Sequence, residues 1–357
     1  IEHGLKSSSR QRHAARHTRR HLVVTGILSA ALALLVTLAG AFAFLSLGGH
    51  LTAPTNLPLS GLAMTARNDG WAVGDNGTYL HDVGGSWQRV EVPNSLPALR
   101  SISIVNGTGW AVGRNGALVR YTNGAWNQIV DTAIPPGQLE DLYSVSVVPP
   151  GGPQADAWAV GGAGTMLRYH AGTWTLVPLP DGLMPYLFGV RMISASAGWA
   201  VGENGTILQY DGLGWSVVSL PIAADLYALT VAPGGDVYAV GSGGTIAQER
   251  GGQWQIYQTA TTAALLGIAM DAPDDGWAVG AAGTLLREVP GRGTVVQVSP
   301  DGTTRERAWP TTWVAARSPT SAYLYGVALT SSTEGWAVGD LGTILRYANS
   351  RWTVYGH

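Results

Sequence analysis

The sequence predicts an all-β protein: a seven-bladed β-propeller of four-stranded blades, preceded by one N-terminal transmembrane helix. Two observations predict this. A unit with four short apolar runs recurs seven times, and one long uncharged apolar run stands before the first unit. The chain has 357 residues with 49 glycines, and only 12% of its residues are charged. Such a composition is typical of short strands joined by tight turns.

The repeat is marked most clearly by a Trp-Ala-Val-Gly motif. Each copy leads into an apolar run like Gly-Thr-Ile-Leu-Arg-Tyr, and in most units a turn and a second Trp follow. Four strands in about 40 residues is the pattern of a propeller blade, and seven blades lie in the usual range. The first and last units both contain four runs, so the mode of ring closure stays open. The motif copies begin at Trp71, Trp110, Trp158, Trp199, Tyr238, Trp277 and Trp336.

The sixth unit carries an insertion. Its third run ends near Arg287-Glu288 and its fourth resumes at Thr312-Trp313, so about residues 289–311 are additional. Val-Val-Gln-Val followed by Pro-Asp-Gly predicts a projecting hairpin there. A smaller elaboration covers residues 131–139. Long loops often carry function, but many are tolerated insertions, and the sequence leaves both interpretations open.

The first 58 residues are expected to tie the propeller to a cell membrane. Residues 1–21 carry six basic side chains against one acid, and residues 22–47 are uncharged and almost wholly apolar. A membrane-spanning helix needs about 20 such residues. The positive-inside rule then predicts a cytoplasmic tail at 1–21, a single-pass helix at 22–47, a linker at 48–58 and an extracytoplasmic propeller at 59–357. The alternative is a cleaved signal peptide, whose apolar core is typically only about 7–15 residues.

Composition argues against several kinds of site. The chain has no cysteine, which excludes disulfides, thiolate nucleophiles and cysteine metal sites. Within the repeats the only histidines before the terminal one are His81 and His170, too few for a convincing metal centre. We expect no metal, no cofactor, no catalytic residue, no nucleic-acid partner and no small-molecule substrate.

Two recurrent motifs are predicted to be turns rather than ligand sites. The Gly-x-x-Gly of each unit, as at residues 202–205, resembles a phosphate loop, but no helix follows it and it recurs seven times. Asn76, Asn106 and Asn204 stand in glycosylation sequons. Asn-Gly is also the pair that tight turns require, and this interpretation is favoured.

One position in the third run of each unit carries a chemical signal. In five neighbouring blades (six, seven, one, two and three) this position is Arg or His, and in the other two it is Gln. Equivalent positions of a propeller lie on one circle, so these five residues would form a basic arc. Planar guanidinium groups bind carboxylates and phosphates in a bidentate manner, so the arc is a predicted partner-binding site for an acidic segment. In the alternative, each arginine pairs with an acid of the adjacent blade. The position reads His81, Arg120, Arg168, Gln209, Gln248, Arg287 and Arg346, and the basic arc is the set without the two glutamines.

The consensus G-W-A-V-G-x-x-G-T-I-L-x-Y-x-G-x-x-W resembles the repeat of the Ycf48/HCF136 family, the photosystem II assembly and stability factors. The resemblance covers residues from about 59 to 357. It implies a non-enzymatic extracytoplasmic scaffold that assembles or stabilises a membrane protein complex, or is an accessory subunit of it. The expected transmembrane anchor departs from the lumenal or lipid-anchored photosynthetic members. Ycf48-like repeats also occur outside photosynthetic organisms, so a photosynthetic client is one expectation among others.

Two further functions stay open. The turn at residues 210–215 resembles a degenerate Asp-box of sialidase-type propellers, which allows a cell-surface glycan-binding or sialidase-like hydrolase propeller. A central pocket with clustered acids, tyrosine and three arginines would favour that function, and a closed apolar channel would count against it. The chain is also compatible with a structural subunit of a surface assembly.

Overall fold

The structure is a computed structural model that describes residues 54–91, 97–129, 134, 139–152, 155–299 and 302–356. Its 28 strands form antiparallel meanders, and each sequence unit supplies four consecutive strands. The expected cytoplasmic tail, the expected transmembrane helix and most of the expected linker lie outside the described residues. Among the residues that are described, no helix is long and apolar enough to cross a membrane.

The strands of the first four units have the following bounds. Unit 1 holds β1 (Leu59–Ala66), β2 (Asp69–Gly74), β3 (Tyr79–Val83) and β4 (Ser86–Arg89). Unit 2 holds β5 (Leu99–Val105), β6 (Thr108–Gly113), β7 (Leu118–Thr122) and β8 (Ala125–Gln128). Unit 3 holds β9 (Leu142–Val147), β10 (Ala157–Gly161), β11 (Met166–His170) and β12 (Thr173–Leu176). Unit 4 holds β13 (Leu187–Ser194), β14 (Ala197–Gly202), β15 (Ile207–Tyr210) and β16 (Trp215–Val217).

The remaining three units include the two longest strands. Unit 5 holds β17 (Leu226–Val231), β18 (Val237–Gly241), β19 (Ile246–Arg250) and β20 (Gln253–Tyr257). Unit 6 holds β21 (Leu265–Ala272), β22 (Asp275–Gly280), β23 (Leu285–Val298) and β24 (Thr304–Ala315). Unit 7 holds β25 (Leu324–Ser331), β26 (Glu334–Gly339), β27 (Ile344–Ala348) and β28 (Arg351–Val354).

The motif aromatics pack between units, as the sequence predicts. Each second-strand Trp or Tyr is buried and meets the fourth-strand Trp of the next unit edge to face. Centroid distances are 4.9–5.6 Å for the six Trp–Trp pairs and 6.3 Å for Tyr238–Trp313, so Trp313 is the fourth-strand Trp of unit 6. Trp336 packs on Trp87, which joins the last unit to the first.

The hydrophobic core follows the same plan. Seven clusters of buried residues each combine two neighbouring units, and the cluster with Leu59, Trp87, Trp336 and Tyr355 spans units 7 and 1. The first strands also contact one another in a cycle that returns from β25 to β1. In the described part of the chain no strand is exchanged between units 1 and 7, so the cycle closes by side-chain packing. This is a β-propeller arrangement around a central channel.

Each unit requires a glycine at the end of its motif, where the backbone of the segment before the first strand comes close. At Gly202 a Cβ atom would lie 2.2 Å from the carbonyl oxygen of Tyr186, the residue just before β13. That oxygen accepts a hydrogen bond from the backbone N–H of Glu203 at 2.9 Å. The other six motif glycines have the same close approach, at 1.9–2.3 Å. Glycine is required here for space, because φ is extended at Gly202 itself.

The two motifs interpreted as turns are turns in the structure. Between the second and third strands the chain makes a one-turn 3-10 helix in six units, as at Glu203–Gly205. Asn76, Asn106 and Asn204 all have φ near +50°, a left-handed conformation that asparagine tolerates better than most residues.

The insertion of unit 6 forms the distal part of the β23–β24 hairpin, with Glu288 opposite Trp313 and Val298 opposite Thr304. It does not project freely. β23 also pairs with β20 of unit 5, from Tyr257 opposite Val295 to Trp254 opposite Val298, which merges the two units into one eight-stranded sheet. Val295 and Val298 are buried at this seam, and their burial explains why the hairpin lies along its neighbour. Of the smaller elaboration, Ile134 is described and lies in the core between units 2 and 3.

Candidate functional site

The mouth of the central channel is the strongest candidate site, and one position of each first strand builds it. Every first strand begins with a buried leucine paired with the motif glycine, and the pairing register shifts just after it. The shift frees the second residue from the ladder, and these residues line a cavity of about 390 Å³ at the channel end. We call them the mouth residues: Ser60, Arg100, Tyr143, Phe188, Tyr227, Leu266 and Tyr325.

Aromatic rings form a continuous wall on one side of the mouth. Phe188 lies between Tyr143 and Tyr227, with ring centroids 5.5 Å and 5.4 Å apart. Tyr186, which is 43% exposed, adds a fourth ring 6.4 Å from Phe188. Tyrosine and phenylalanine with some exposed area are the side chains that contribute most when a partner covers them.

Arg100 supplies the positive charge of the mouth. Its guanidinium lies 5.3 Å from the Tyr143 ring centroid and donates to an Asp141 carboxylate oxygen at 3.1 Å. Burial alone would raise the pKa of Asp141, but hydrogen bonds from the Asn115 backbone and Arg100 outweigh it and lower that pKa. The Asp141 carboxylate therefore holds Arg100 in place, while part of the Arg100 side chain stays exposed.

The tyrosines of the mouth are held as neutral phenols. Burial, with help from Asp340, raises the pKa of Tyr325 to about 12, and its hydroxyl donates to Asp340 at 3.0 Å. Burial and a neighbouring aspartate also raise the pKa of Tyr143 and of Tyr227. These side chains can donate hydrogen bonds and stack, but their phenolates are disfavoured.

The turns around the mouth give it an acidic rim. The strand 2–3 turns and the residues before the first strands lie at this end, because each first strand starts opposite the motif glycine. Arg114 stands 3.9 Å from Asp75 and is the second arginine of the cavity. The acids of these segments are Asp75, Glu140, Asp141, Glu203, Asp225 and Asp340.

A second cavity of about 320 Å³ occupies the other half of the channel. Five apolar side chains line both this second cavity and the cavity directly under the mouth residues. Each of them stands two positions after the mouth residue of its own strand. These residues separate the two halves of the channel, which we call the mouth cavity and the lower cavity. They are Leu62, Ile102, Leu229, Ile268 and Val327.

The residues of the predicted basic arc occupy equivalent positions, each directly opposite the motif Trp of its own unit. His81 stacks on Trp71 at 4.1 Å, and the four arginines lie 5.4–5.7 Å from their Trp ring centroids. The arc is near the opposite end of the strands from the mouth, so the structure does not bring the two sets together.

The acids that pair with the arc do not come from the adjacent blade, where the alternative interpretation of the sequence placed them. They belong to the same unit as the base, two residues before its motif Trp: Asp69 for His81, Asp156 for Arg168 and Asp275 for Arg287. The adjacent unit contributes a tyrosine instead. Arg120 donates to the Tyr169 hydroxyl at 2.8 Å, and Arg287 donates to Tyr347 at 3.2 Å.

Sequence reasoning missed the mouth residues. The runs Leu-Tyr-Ser-Val and Leu-Tyr-Gly-Val stand before the motifs, and aligning their second position would have exposed the series Tyr143, Phe188, Tyr227 and Tyr325. A period-two pattern assigns that position to a strand face, whereas the register shift places it at the channel end.

No family model matches the chain, and no curated protein matches it. Solved structures do match over most of its length. A structure described as YCF48 bound to D1 peptide is 20% identical, with a TM-score of 0.62 over 83% of this chain and 93% of that chain. YCF48 from Cyanidioschyzon merolae is 17% identical, with a TM-score of 0.62 over 84% and 98%. The WD40 propeller domain of Doa1 is 13% identical, with a TM-score of 0.60 over 83% and 94%. The fold of this chain is therefore that of a Ycf48-like β-propeller.

Proposed function

We propose that this protein is a non-enzymatic scaffold, a seven-bladed propeller whose channel mouth binds a segment of a subunit of a membrane protein complex. The observation that carries the proposal is the mouth wall of Tyr143, Phe188 and Tyr227 beside Arg100. Aromatic rings and arginine are the residues that dominate binding energy in protein interfaces. The wall is fixed by the first strands, so little ordering cost opposes binding.

The acidic rim indicates the chemistry of the docked segment. Six carboxylates surround a mouth with two arginines, so a segment with lysine or arginine next to an aromatic or aliphatic side chain complements it best. The structure described as YCF48 bound to D1 peptide supports a peptide segment as the ligand class of this fold. A transmembrane helix at 22–47 would hold the propeller on the extracytoplasmic side, beside partners in the same membrane.

The chemistry of the mouth favours binding over hydrolysis. A tyrosine nucleophile needs an activated phenol, whereas the environment here raises the pKa of Tyr325 to about 12. The mouth cavity holds two arginines, and Arg100 already pairs with Asp141. In the described residues no group of three or more potential metal ligands is placed to hold an ion.

A pull-down tests the proposal. Full-length protein is extracted from membranes in mild detergent, and co-purifying proteins are identified by mass spectrometry. We expect Tyr143→Ala with Tyr227→Ala to lose at least about 90% of the partner, since each buried aromatic contact is typically worth 1 kcal/mol or more. The matched control is Val83→Ala with Leu213→Ala, which removes two exposed apolar side chains elsewhere. Equal recovery by both variants would refute the mouth as the docking site.

The same experiment examines one of the other functions. Recovery of copies of this chain alone would favour a structural subunit. A separate assay of the purified protein with a sialoside tests the hydrolase, which turnover would favour. Partner binding by the arc stays a prediction for Arg120, Arg168, Arg287, Arg346 and His81. Because these side chains also contact the adjacent unit or their own Trp, the arginine-to-glutamine set must keep its Tm before a lost partner is attributed to the arc.

A further inference from the structure

Among the described residues that line the lower cavity of the channel, one is charged. Arg191 lies in β13 and lines this cavity together with apolar residues of other first strands. At the equivalent position the other six units have Ala63, Ser103, Ser146, Thr230, Ala269 and Ala328, all of them small. A long cationic side chain is therefore present in one unit where the repeat otherwise places a short neutral one.

Arg191 is solvated but surrounded by protein. More than a third of its surface is accessible, yet desolvation by the surrounding chain lowers its pKa. Both facts fit a side chain that extends into the narrow lumen. Within the described residues no carboxylate lies within 4.0 Å of it, whereas Arg100, Arg168, Arg250 and Arg287 each have an acidic partner.

An uncompensated guanidinium in a confined lumen costs stability, because desolvation is not offset by an opposite charge. The hydrogen bonds between first strands at this level of the channel do not require an arginine. In units 2 and 3, Ser103 and Ser146 accept hydrogen bonds from the first-strand N–H of the next unit at 3.1 Å and 2.9 Å. A serine at 191 would thus serve the seam between units 4 and 5 in the same way, so packing alone does not explain the arginine.

We infer that the lower cavity is an anion site in which Arg191 binds the carboxylate or phosphate group of a small ligand. The guanidinium fork matches two oxygens of such a group in a bidentate manner. Thr230, at the equivalent position of the next first strand, lines the same cavity and offers a hydroxyl donor. The cavity of about 320 Å³ is large enough for a small molecule and too enclosed for a folded partner. This site is separate from the mouth, beyond the five apolar side chains.

Thermal unfolding of the full chain tests the site with defined probes. Sodium phosphate and sodium acetate are titrated separately against sodium chloride at constant pH and ionic strength, so the two arms distinguish the sources of the anion. A ligand at ten times its Kd raises the Tm of a domain of this size by about 2–4 °C. We expect that rise for the wild type with at least one probe.

Arg191→Met keeps an unbranched apolar stem and removes the guanidinium and its charge. We expect this variant to unfold at a higher temperature than the wild type in chloride and to lose the anion-specific rise. Arg305→Met, on the exposed face of the hairpin, controls for general salt effects and should respond like the wild type. Arg191→Lys, which keeps the charge without the fork, is expected to bind at least about tenfold more weakly in equilibrium dialysis with phosphate. Equal Tm rises in the wild type and Arg191→Met, or no anion-specific rise in the wild type, would overturn the inference.

Discussion

At the scale of single residues, the motif glycines and the mouth aromatics of the first strands have separate tasks. Because the glycine has no Cβ atom, the backbone carbonyl of the residue before the first strand can lie close to the end of the second strand. The residue after the first-strand leucine then reaches the channel mouth. The fold therefore depends on a position without a side chain, and the proposed partner binding depends on the mouth side chain that this close backbone approach positions.

Replacing one motif glycine tests this division. Gly202→Ala would place a Cβ 2.2 Å from the Tyr186 carbonyl oxygen and 3.1 Å from the Leu187 Cα atom, and both are backbone atoms that cannot rotate away. We expect a loss of about 2–4 kcal/mol in the free energy of unfolding, measured by urea denaturation. Gly214→Ala in the same unit is the control, since nothing lies within 4 Å of its Cβ position and it should change stability by less than about 1 kcal/mol.

At the scale of strands and hairpins, the seam between units 5 and 6 contains a buried polar network. Its third-strand position is Glu288, where units 2, 3, 4 and 7 have a Tyr. Glu288 is 1% exposed, and its Oε1 lies 2.9 Å from the Tyr257 hydroxyl and 2.7 Å from the Thr311 hydroxyl. Its second oxygen is buried without a hydrogen-bond partner in the described residues. Burial therefore raises the pKa of Glu288.

This network makes stability depend on pH in a definite direction. The folded-state pKa of Glu288 lies above its ordinary value of 4.5, so its contribution is complete below pH 4.5 and is lost as pH rises through the folded pKa. The slope is at most about 1.4 kcal/mol per pH unit. Glu288→Gln, which keeps the shape and a donor, should remove it.

The measurement is the free energy of unfolding in urea from pH 4 to pH 8 for both proteins. Their difference isolates Glu288 from the other titrating groups, and we expect the variant to gain on the wild type as pH rises. A difference that stays constant over this range would mean that Glu288 has the same pKa in the folded and unfolded protein.

The elements differ in how far the sequence could predict them. Period, strand number per unit and the Trp313 assignment follow from spacing, because each unit repeats one local solution. The pairing of β23 with β20 does not, since nothing in the sequence of the hairpin indicates that Val295 and Val298 are buried against a neighbouring edge strand. The candidate site was also predictable only in part. The equivalent positions of the basic arc follow from the repeat, whereas the mouth depends on register shifts. The pairing of the arc with acids of the same unit depends on the direction of the side chains.

At the scale of the whole molecule, the ring closes without a strand shared between units 7 and 1 among the described residues. Units 7 and 1 meet through Trp336 on Trp87, at 5.6 Å, and through a pair formed by Arg67 and Glu334. The backbone N–H of Trp87, in the outermost strand of unit 1, donates to the Tyr355 hydroxyl at 3.0 Å. Because side-chain contacts rather than a shared strand join these two units, the residues that complete the seam are expected to control whether the ring opens locally.

Tyr355→Phe tests the closure by removing one oxygen atom. The ring still packs on Trp336, at 5.6 Å, but the buried N–H of Trp87 loses its acceptor, which typically costs about 1–3 kcal/mol. We expect that loss in urea unfolding together with faster amide exchange in β1, β4 and β28, the strands that border the seam. Tyr323→Phe, whose ring is 47% exposed, is the control and should leave both measurements unchanged. Uniformly faster exchange in all seven units would instead mean that the closing seam does not open before the rest of the ring.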